Sequence, residues 1–325
     1  MKRVFIYLML FLFVLTLSSW GFYAHIRINR LAVFTLPDGP LRFFKANITY
    51  LSAHAIDADK RRYADTAEAA RHYLDVELYE KHIDSIPRKY DDAVQKYGYK
   101  RLQENGILPW QIQRTYARLV QAFQQKDSVR ILLHATSLGH YLADAHVPLH
   151  TTSNHNGQLT NQLGIHAFWE SRLPELYAEK YYLMTGQAQY VENPLKEAWN
   201  IITHTHALVD SVLTLEARLH ASFPGYRKYS YTKRNKVLVK QYAEAYAKAY
   251  HLAMNHMVEK QMRSSIKSIG SYWYSAWIDA GQPELTHFKK VKYNKKEWQQ
   301  EKADELRIKA EELKFKEGKI IGREP

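Results

Sequence analysis

Apolar residues recur every three to four positions along most of this chain, among residues that favour helices. That spacing puts apolar side chains on one face of an α-helix, where they can pack against a core. Signals for strands are scarce, because no stretch alternates apolar and polar residues for long and no Asn-Gly pair joins two apolar runs. The pattern predicts an all-α fold with helices over residues 67–79, 110–124, 128–145, 165–183, 195–223 and 235–262.

The N-terminus has the arrangement of a secretory signal peptide. Two basic residues precede an apolar run over residues 4–17, and Ser18 and Ser19 offer small residues for cleavage. We therefore predict that residues 1–19 are removed and that the mature protein, periplasmic or secreted, begins at Trp20. The alternative is an uncleaved membrane anchor, since apolar character continues past Trp20.

Beyond this segment we expect one multi-helix domain over residues 20–288 and a charged tail over residues 289–325. The tail alternates charge signs and has few aromatic residues, as a solvated helix or frayed end does. The formal net charge of +13 favours anionic partners such as nucleic acids, phosphate esters or lipid headgroups. The chain has no cysteine, which excludes disulfides and thiolate zinc sites. Metal ligands must therefore come from His, Asp, Glu or the chain terminus.

Two segments in the middle of the chain carry an imidazole and a carboxylate four residues apart. His140 precedes Asp144, and His166 precedes Glu170, so each pair shares one face of its predicted helix. His150 lies between the two pairs. Neutral imidazole and ionised carboxylate are ligands that zinc takes in proteins, and two such pairs indicate more than one metal ion. This arrangement predicts a metallohydrolase.

A single pair of this kind has little specificity. The chain has sixteen histidines, and His206 with Asp210 has the same spacing. An isolated pair is typical of a surface or half-buried salt link. The prediction depends instead on the joint pattern of the two pairs with His150 around a polar loop over residues 151–164.

These motifs resemble those of the zinc-dependent phospholipase C and single-strand-specific nuclease superfamily. The stretch Asp-Ala-His-Val-Pro-Leu-His at 144–150 is similar to the Asp-x-His-x-Pro-Leu-His signature of that superfamily. In its members a tryptophan exposed by signal cleavage ligates zinc through its free amine and its carbonyl, and Trp20 stands at this position here. The spacings from Trp20 to His25 and from Asp57 to His72 are those of the nuclease branch.

The resemblance implies an α-helical domain that holds three zinc ions. It implies Asp144 as the catalytic carboxylate that bridges the zinc pair which activates water. The implied ligands are Asp57, His72, His140 and Asp144 for one ion, Asp144 with Trp20 and His25 for the second, and His150, His166 and Glu170 for the third.

The neighbouring residues leave alternatives open. Asp59 could replace Asp57 as a ligand, although the spacing to the following histidine favours Asp57. Lys60 and Asp75 stand where nuclease relatives place a phosphate-contacting base and its carboxylate partner, and the alternative for both is an ordinary surface ion pair. His146 points off the ligand face, so we expect it in helix packing or in a hydrogen bond to a ligand.

The leading hypothesis is an exported zinc-dependent hydrolase of phosphoric ester bonds, phospholipase C-like on lipid headgroup phosphodiesters. The alternative is a single-strand-specific endonuclease or 3′-nucleotidase that uses the same three zinc ions. Glu170 and the short loop before His166 are features of the phospholipase branch, whereas the N-terminal spacings are those of the nuclease branch. The partner is then a phospholipid or a single-stranded nucleic acid, with room for peripheral membrane contact and no protein partner implied. Two further alternatives are a non-catalytic, zinc-stabilised binding protein and a membrane-anchored helix bundle.

Overall fold

The computed structural model describes residues 22–62, 64–234 and 237–285 of the chain. The predicted signal segment, Trp20 and the charged tail lie outside these residues. Nearly all elements of the described part are helices, and one two-stranded antiparallel sheet accompanies them. The prediction of an all-α fold is therefore confirmed.

The elements are short to medium helices joined mostly by short turns. None of the described helices is long and apolar enough to cross a membrane. In chain order the described elements are α1 (Phe22–Ala32), α2 (Asp38–Ala46), α3 (Ile48–Ala53), α4 (Asp57–Arg61), α5 (Val76–Tyr79), α6 (Tyr90–Asn105), α7 (Leu108–Gln124), α8 (Ser128–Asp144), α9 (Ile165–Ala167), α10 (Leu173–Tyr177), α11 (Pro194–His206), α12 (Val209–Ser222), β1 (Tyr229–Arg234), β2 (Val237–Tyr242), α13 (Glu244–Ala253) and α14 (Met257–Asp279). Short 3₁₀ turns lie at Val33–Thr35, Ala69–His72, Ile83–Ser85, Pro148–Thr151, Ala178–Lys180 and Gly225–Arg227, and a π-helical turn lies at Phe168–Arg172.

The chain divides into two compact units. The larger unit contains His25–His155, Leu183–Val209 and the described residues from Gln261 on. The smaller unit contains Asn156–Tyr182 and Asp210–Lys260, together with the described residues before His25. Each unit buries large apolar side chains of its own.

Helices α7 and α8 form an antiparallel pair in the larger unit and confirm the helices predicted over 110–124 and 128–145. Asp127 caps α8, because its carboxylate accepts hydrogen bonds from two backbone N–H groups of the first turn. The ring of Trp273 is fully buried, and its indole N–H donates to Ala135 O of α8 at 3.0 Å. These contacts fix α8 at both its start and its middle.

The prediction of a helix over residues 67–79 is wrong. The segment has one 3₁₀ turn and one α-helical turn, with extended backbone between them. Its amide groups bond to distant segments instead: Leu74 N–H donates to His150 O at 2.9 Å, and Asp75 N–H donates to Asn105 O at 2.8 Å. Tertiary hydrogen bonds therefore outweigh the helical periodicity of this segment.

The smaller unit packs aromatic rings beside a buried carboxylate. The rings of Phe168 and Tyr242 stack with centroids 3.8 Å apart. Glu216 is fully buried, accepts a hydrogen bond from the hydroxyl of Tyr246 at 2.7 Å and lies 2.9 Å from Lys228 Nζ. A buried charge needs such partners, so this network fixes the centre of the smaller unit.

Two further helix predictions need correction. The helix predicted over residues 235–262 begins only at Glu244, because strand β2 occupies the residues before it. Val239 is buried while its neighbour Leu238 is exposed, a period of two that the helical pattern concealed. The helix predicted over 195–223 is two helices, α11 and α12.

A close approach of α1 to α8 gives a test of this packing. A Cβ atom at Gly139 would lie 2.1 Å from Asn29 Oδ1, and Asn29 is fully buried with its amide donating to His25 O. We expect Gly139→Ala to lower the free energy of unfolding by about 1–3 kcal/mol, because the added methyl overpacks this contact. Chemical denaturation followed by circular dichroism measures the change. Gly225→Ala is the control, since no heavy atom lies within 4 Å of a Cβ there, and equal effects of the two substitutions would contradict the expectation.

Candidate metal centre

Helix α8 presents an imidazole and a carboxylate on one buried face. His140 and Asp144 are one helical turn apart, and both are buried. His140 Nδ1 donates to Ala55 O at 2.8 Å, which leaves the lone pair on Nε2, 3.3 Å from Asp144 Oδ2. Backbone carbonyls fix the orientation of metal-ligating histidines in this way.

Ligand atoms from three segments of the chain come together next to this face. His72 Nδ1 lies 2.9 Å from Asp144 Oδ2 and 3.0 Å from His140 Nε2. Asp59 Oδ1 lies 3.6 Å from each of the two nitrogens. Four ligands about 2.0–2.1 Å from a tetrahedral zinc ion lie about 3.3 Å from one another. The separations of 3.0–3.6 Å among Asp59, His72 and His140 therefore fit three ligands of one ion, and Asp144 Oδ2 lies 2.9 Å and 3.3 Å from the two nitrogens.

The second oxygen of Asp144 faces a different set of nitrogens. His25 Nε2 of α1 lies 3.4 Å from Asp144 Oδ1, and the rings of His25 and His140 stack with centroids 4.2 Å apart. His150 Nδ1 lies 3.9 Å from the same oxygen. The two oxygens of Asp144 thus face different imidazoles, which is the arrangement that a bridging ligand requires.

The structure brings Asp59 into this cluster, and not Asp57, which the spacing favoured. The side chains of neighbours two apart on the short helix α4 point in different directions, so only one of the two can face the imidazoles. Asp57 instead lies 2.5 Å from His54 Nδ1 and 3.1 Å from Lys60 Nζ. Burial alone would raise the pKa of Asp57, but the hydrogen bond and charge of His54 and the charge of Lys60 lower it.

The three ligands predicted for a third ion divide between the two units. His150 belongs to the larger unit, where its Nδ1 donates to His72 O at 2.8 Å. His166 and Glu170 belong to the smaller unit, where Nε2 and Oε2 lie 2.9 Å apart, one helical turn along the chain. The pairing of His166 with Glu170 agrees with their predicted shared face, and the third ion itself stays a prediction.

Opposite charges determine the protonation of the buried cluster. Burial would raise the pKa of Asp144, but the charges of His140 and His150 and hydrogen bonds from His140 and His72 hold it well below its usual range. Asp59 behaves in the same way, with His140 as its main partner. Burial would lower the pKa of His140, but Asp144 and Asp59 raise it well above its usual range. A proton on His140 therefore competes with a metal ion for the same place, and zinc affinity must fall as the pH falls.

A fully buried carboxylate that the sequence analysis missed lies behind His72. Glu68 Oε1 accepts a hydrogen bond from the hydroxyl of Tyr141 at 2.5 Å and lies 3.6 Å from His72 Nε2. Arg61 and Arg71 also donate to Glu68. Burial would raise the pKa of Glu68, but the neighbouring His72 and the charge of Arg61 hold it well below its usual range. The ionised Glu68 thus orients the ring of His72, as carboxylates behind metal-ligating histidines do. Its spacing of four residues from His72 was the only sequence signal.

The remaining candidates lie next to the cluster or outside it. Lys60, about a third exposed, donates to Asp57, whereas Asp75 is buried. Contacts of Lys60 and Asp75 with phosphate stay a prediction. His146 is buried outside the cluster, with Nε2 3.4 Å from Ser268 Oγ of α14, which agrees with the expected role in helix packing.

The donor chemistry of the cluster suits zinc. Three imidazoles and two carboxylates provide only nitrogen and oxygen atoms, which zinc accepts as ligands in four-coordinate sites. Carboxylates are costly to bury unless positive charge faces them, and a divalent cation supplies that charge. The residues present therefore fit a zinc site.

Comparison with known proteins agrees with this geometry. The family model of zinc-dependent phospholipase C matches residues 24–233, more than half of the chain. The matched range contains every described residue of the cluster. A search of curated proteins found no match. The chain therefore belongs to the zinc-dependent phospholipase C family of phosphoester hydrolases.

Proposed function

We propose that this protein is an exported phospholipase C-like enzyme that hydrolyses headgroup phosphodiesters of phospholipids with three zinc ions. The observation that carries the proposal is the position of Asp144, whose two oxygens face separate donor groups. A carboxylate shared in this way would hold two metal ions as ligands of one site, where both could act on the same phosphate. The family match supports the same chemistry.

The proposed ligands follow from the cluster and from the family resemblance. Bound zinc supplies Lewis acidity and a water molecule that is deprotonated near neutral pH. The chain's own residues would hold the ions and fix their surroundings. The proposed sets are Asp59, His72, His140 and Asp144 for the first ion, Trp20, His25 and Asp144 for the second, and His150, His166 and Glu170 for the third.

The charge of such a site suits a phosphodiester. Three doubly charged ions against the carboxylates of Asp59, Asp144 and Glu170 leave a net positive charge, which stabilises the anionic substrate and its more negative transition state. Lys60, partly exposed and next to Asp59 in sequence, is proposed to add a contact to the phosphate. Asp75 is proposed as a carboxylate that positions this contact.

Three features favour a lipid over a nucleic acid as the substrate. The matching family model is that of phospholipase C, and Glu170 is the residue of the phospholipase branch at the last ligand position. Large apolar side chains are also exposed on the smaller unit, among them Leu163, Tyr231 and Leu238. An enzyme that meets a membrane needs such a surface.

The substrate class can be tested with the purified, zinc-loaded protein. We expect it to release phosphocholine from phosphatidylcholine vesicles and to leave single-stranded DNA largely intact, because the proposed site acts on lipid headgroups. Removal of zinc with a chelator should abolish the activity, and added zinc should restore it. Release of nucleotides without phosphocholine would favour the nuclease, and failure to cleave even bis-nitrophenyl phosphate would favour the binding protein.

The position of Asp59 gives a matched test of the ligand set. We expect Asp59→Ala to lose about one zinc ion and on the order of a hundredfold or more in rate, because it removes a carboxylate ligand. Asp57→Ala, two residues away, should keep its zinc, since Asp57 lies against His54 and Lys60. Metal analysis by mass spectrometry and hydrolysis of bis-nitrophenyl phosphate measure both effects. The opposite pattern would restore Asp57 as the ligand.

A further inference from the structure

One face of the β-hairpin in the smaller unit exposes large apolar side chains. Tyr231 lies opposite Lys240, and Lys233 lies opposite Leu238, and residues opposite one another in an antiparallel pair share a face. All four side chains are exposed, Tyr231 at 62% and Leu238 at 61%. A sheet face that meets only water typically carries polar residues, so the exposed tyrosine and leucine indicate a partner.

The base of the hairpin is packed into the smaller unit. Tyr242 is 8% exposed, and its ring stacks on Phe168. Val239, on the opposite face of β2, is buried. Lys240 Nζ lies 4.0 Å from the centroid of the Tyr229 ring, so the ammonium group packs on an aromatic ring at the base of the hairpin while the residue stays exposed. The exposed face is therefore held by a fixed base.

The sequence of this region is basic throughout. Residues 223–243 contain six Lys or Arg and no Asp or Glu. Lys233 and Lys240 accompany the apolar residues on the exposed face, and Arg227 is exposed in the turn before β1. Such a surface attracts anions and is complementary to a negatively charged bilayer.

We propose that this face docks on the surface of a bilayer that contains anionic phospholipid. Leu238 enters the boundary between headgroups and acyl chains, Tyr231 lies at the level of the headgroups, and the two lysines contact lipid phosphates. Single-stranded nucleic acid would also meet lysines and a stacking ring, but an exposed leucine offers a base nothing to stack on. The purpose of docking rests on the proposed function, since a phospholipase must reach a substrate that lies in a membrane.

Cosedimentation of the zinc-loaded protein with vesicles tests the docking. The vesicles consist of phosphatidylcholine, with or without one quarter phosphatidylserine. We expect the protein to prefer the anionic vesicles and to bind them less at high salt. Leu238→Ser should weaken binding by about tenfold, because it removes an apolar side chain that enters the bilayer. The double variant Lys233→Gln and Lys240→Gln should lose the preference for anionic vesicles.

The matched control is a leucine of equal exposure outside the hairpin. Leu252 lies on α13 of the same unit and is 62% exposed, and Leu252→Ser should bind vesicles as the unchanged protein does. Equal binding by the Leu238→Ser variant and the unchanged protein would overturn the proposal. The proposal would also be overturned if the protein did not bind vesicles but bound single-stranded DNA through Tyr231 and the two lysines.

A soluble substrate separates this proposal from the proposed function. Hydrolysis of bis-nitrophenyl phosphate needs no membrane, so the hairpin variants and the Leu252→Ser control should hydrolyse it at the same rate. Vesicle binding that follows the expected pattern in a protein without any phosphodiesterase activity would keep the docking surface and contradict the proposed function. If the enzyme is active and the hairpin variants bind vesicles as the unchanged protein does, the docking surface is contradicted and the proposed function is kept.

Discussion

The ionised carboxylate of Asp144 is the constraint on which the metal centre depends. It is buried, so water cannot solvate it. Imidazole nitrogens of His72 and His25 lie 2.9 Å and 3.4 Å from its two oxygens. Such a group is stable in the interior only if positive charge faces it. A proton on His140 provides that charge in the absence of metal, and zinc would provide it when bound. The site is thus prepared for a cation by the folding of the chain around it.

The fold meets this constraint with elements of different kinds. Helix α8 supplies two donors through its regular spacing, and a cap at Asp127 and the buried Trp273 hold it in place. His72 comes from a segment without regular helix, so its position depends on backbone bonds to other segments and on the charge of Glu68 behind its ring. An irregular segment can direct a ligand side chain in a way that helical geometry does not allow. The position of such a segment then depends on contacts with distant parts of the chain.

The sequence predicted what depends on local spacing and failed where distant contacts decide. His140 with Asp144 was predictable, because four residues make one helical turn wherever the helix lies. The choice between Asp57 and Asp59 was not, since spacing along the chain counts residues and not the direction in which a side chain points. Glu68 was missed because one of its donors, Tyr141, lies far along the chain.

The all-α class was likewise predictable from periodicity, whereas the hairpin was not. Its strands are six residues each, and Val239 is the buried residue that reveals their alternation. So short a signal is lost between two helical patterns. The family resemblance added the metal count and the bridge at Asp144, which no local pattern contains. The geometry around Asp144 is consistent with that bridge, and the chemistry proposed for the protein depends on it.

Zinc content after substitution of Asp144 tests this bridge most directly. Asp210 is the natural control, because it follows His206 at the same spacing but is exposed, while His206 donates to Thr151 O at 3.0 Å. We expect Asp144→Ala to lose about two of three zinc ions together with the activity, and Asp210→Ala to keep all of them. Loss of a single ion from Asp144→Ala, or equal zinc content in the two variants, would contradict a carboxylate shared by two metals.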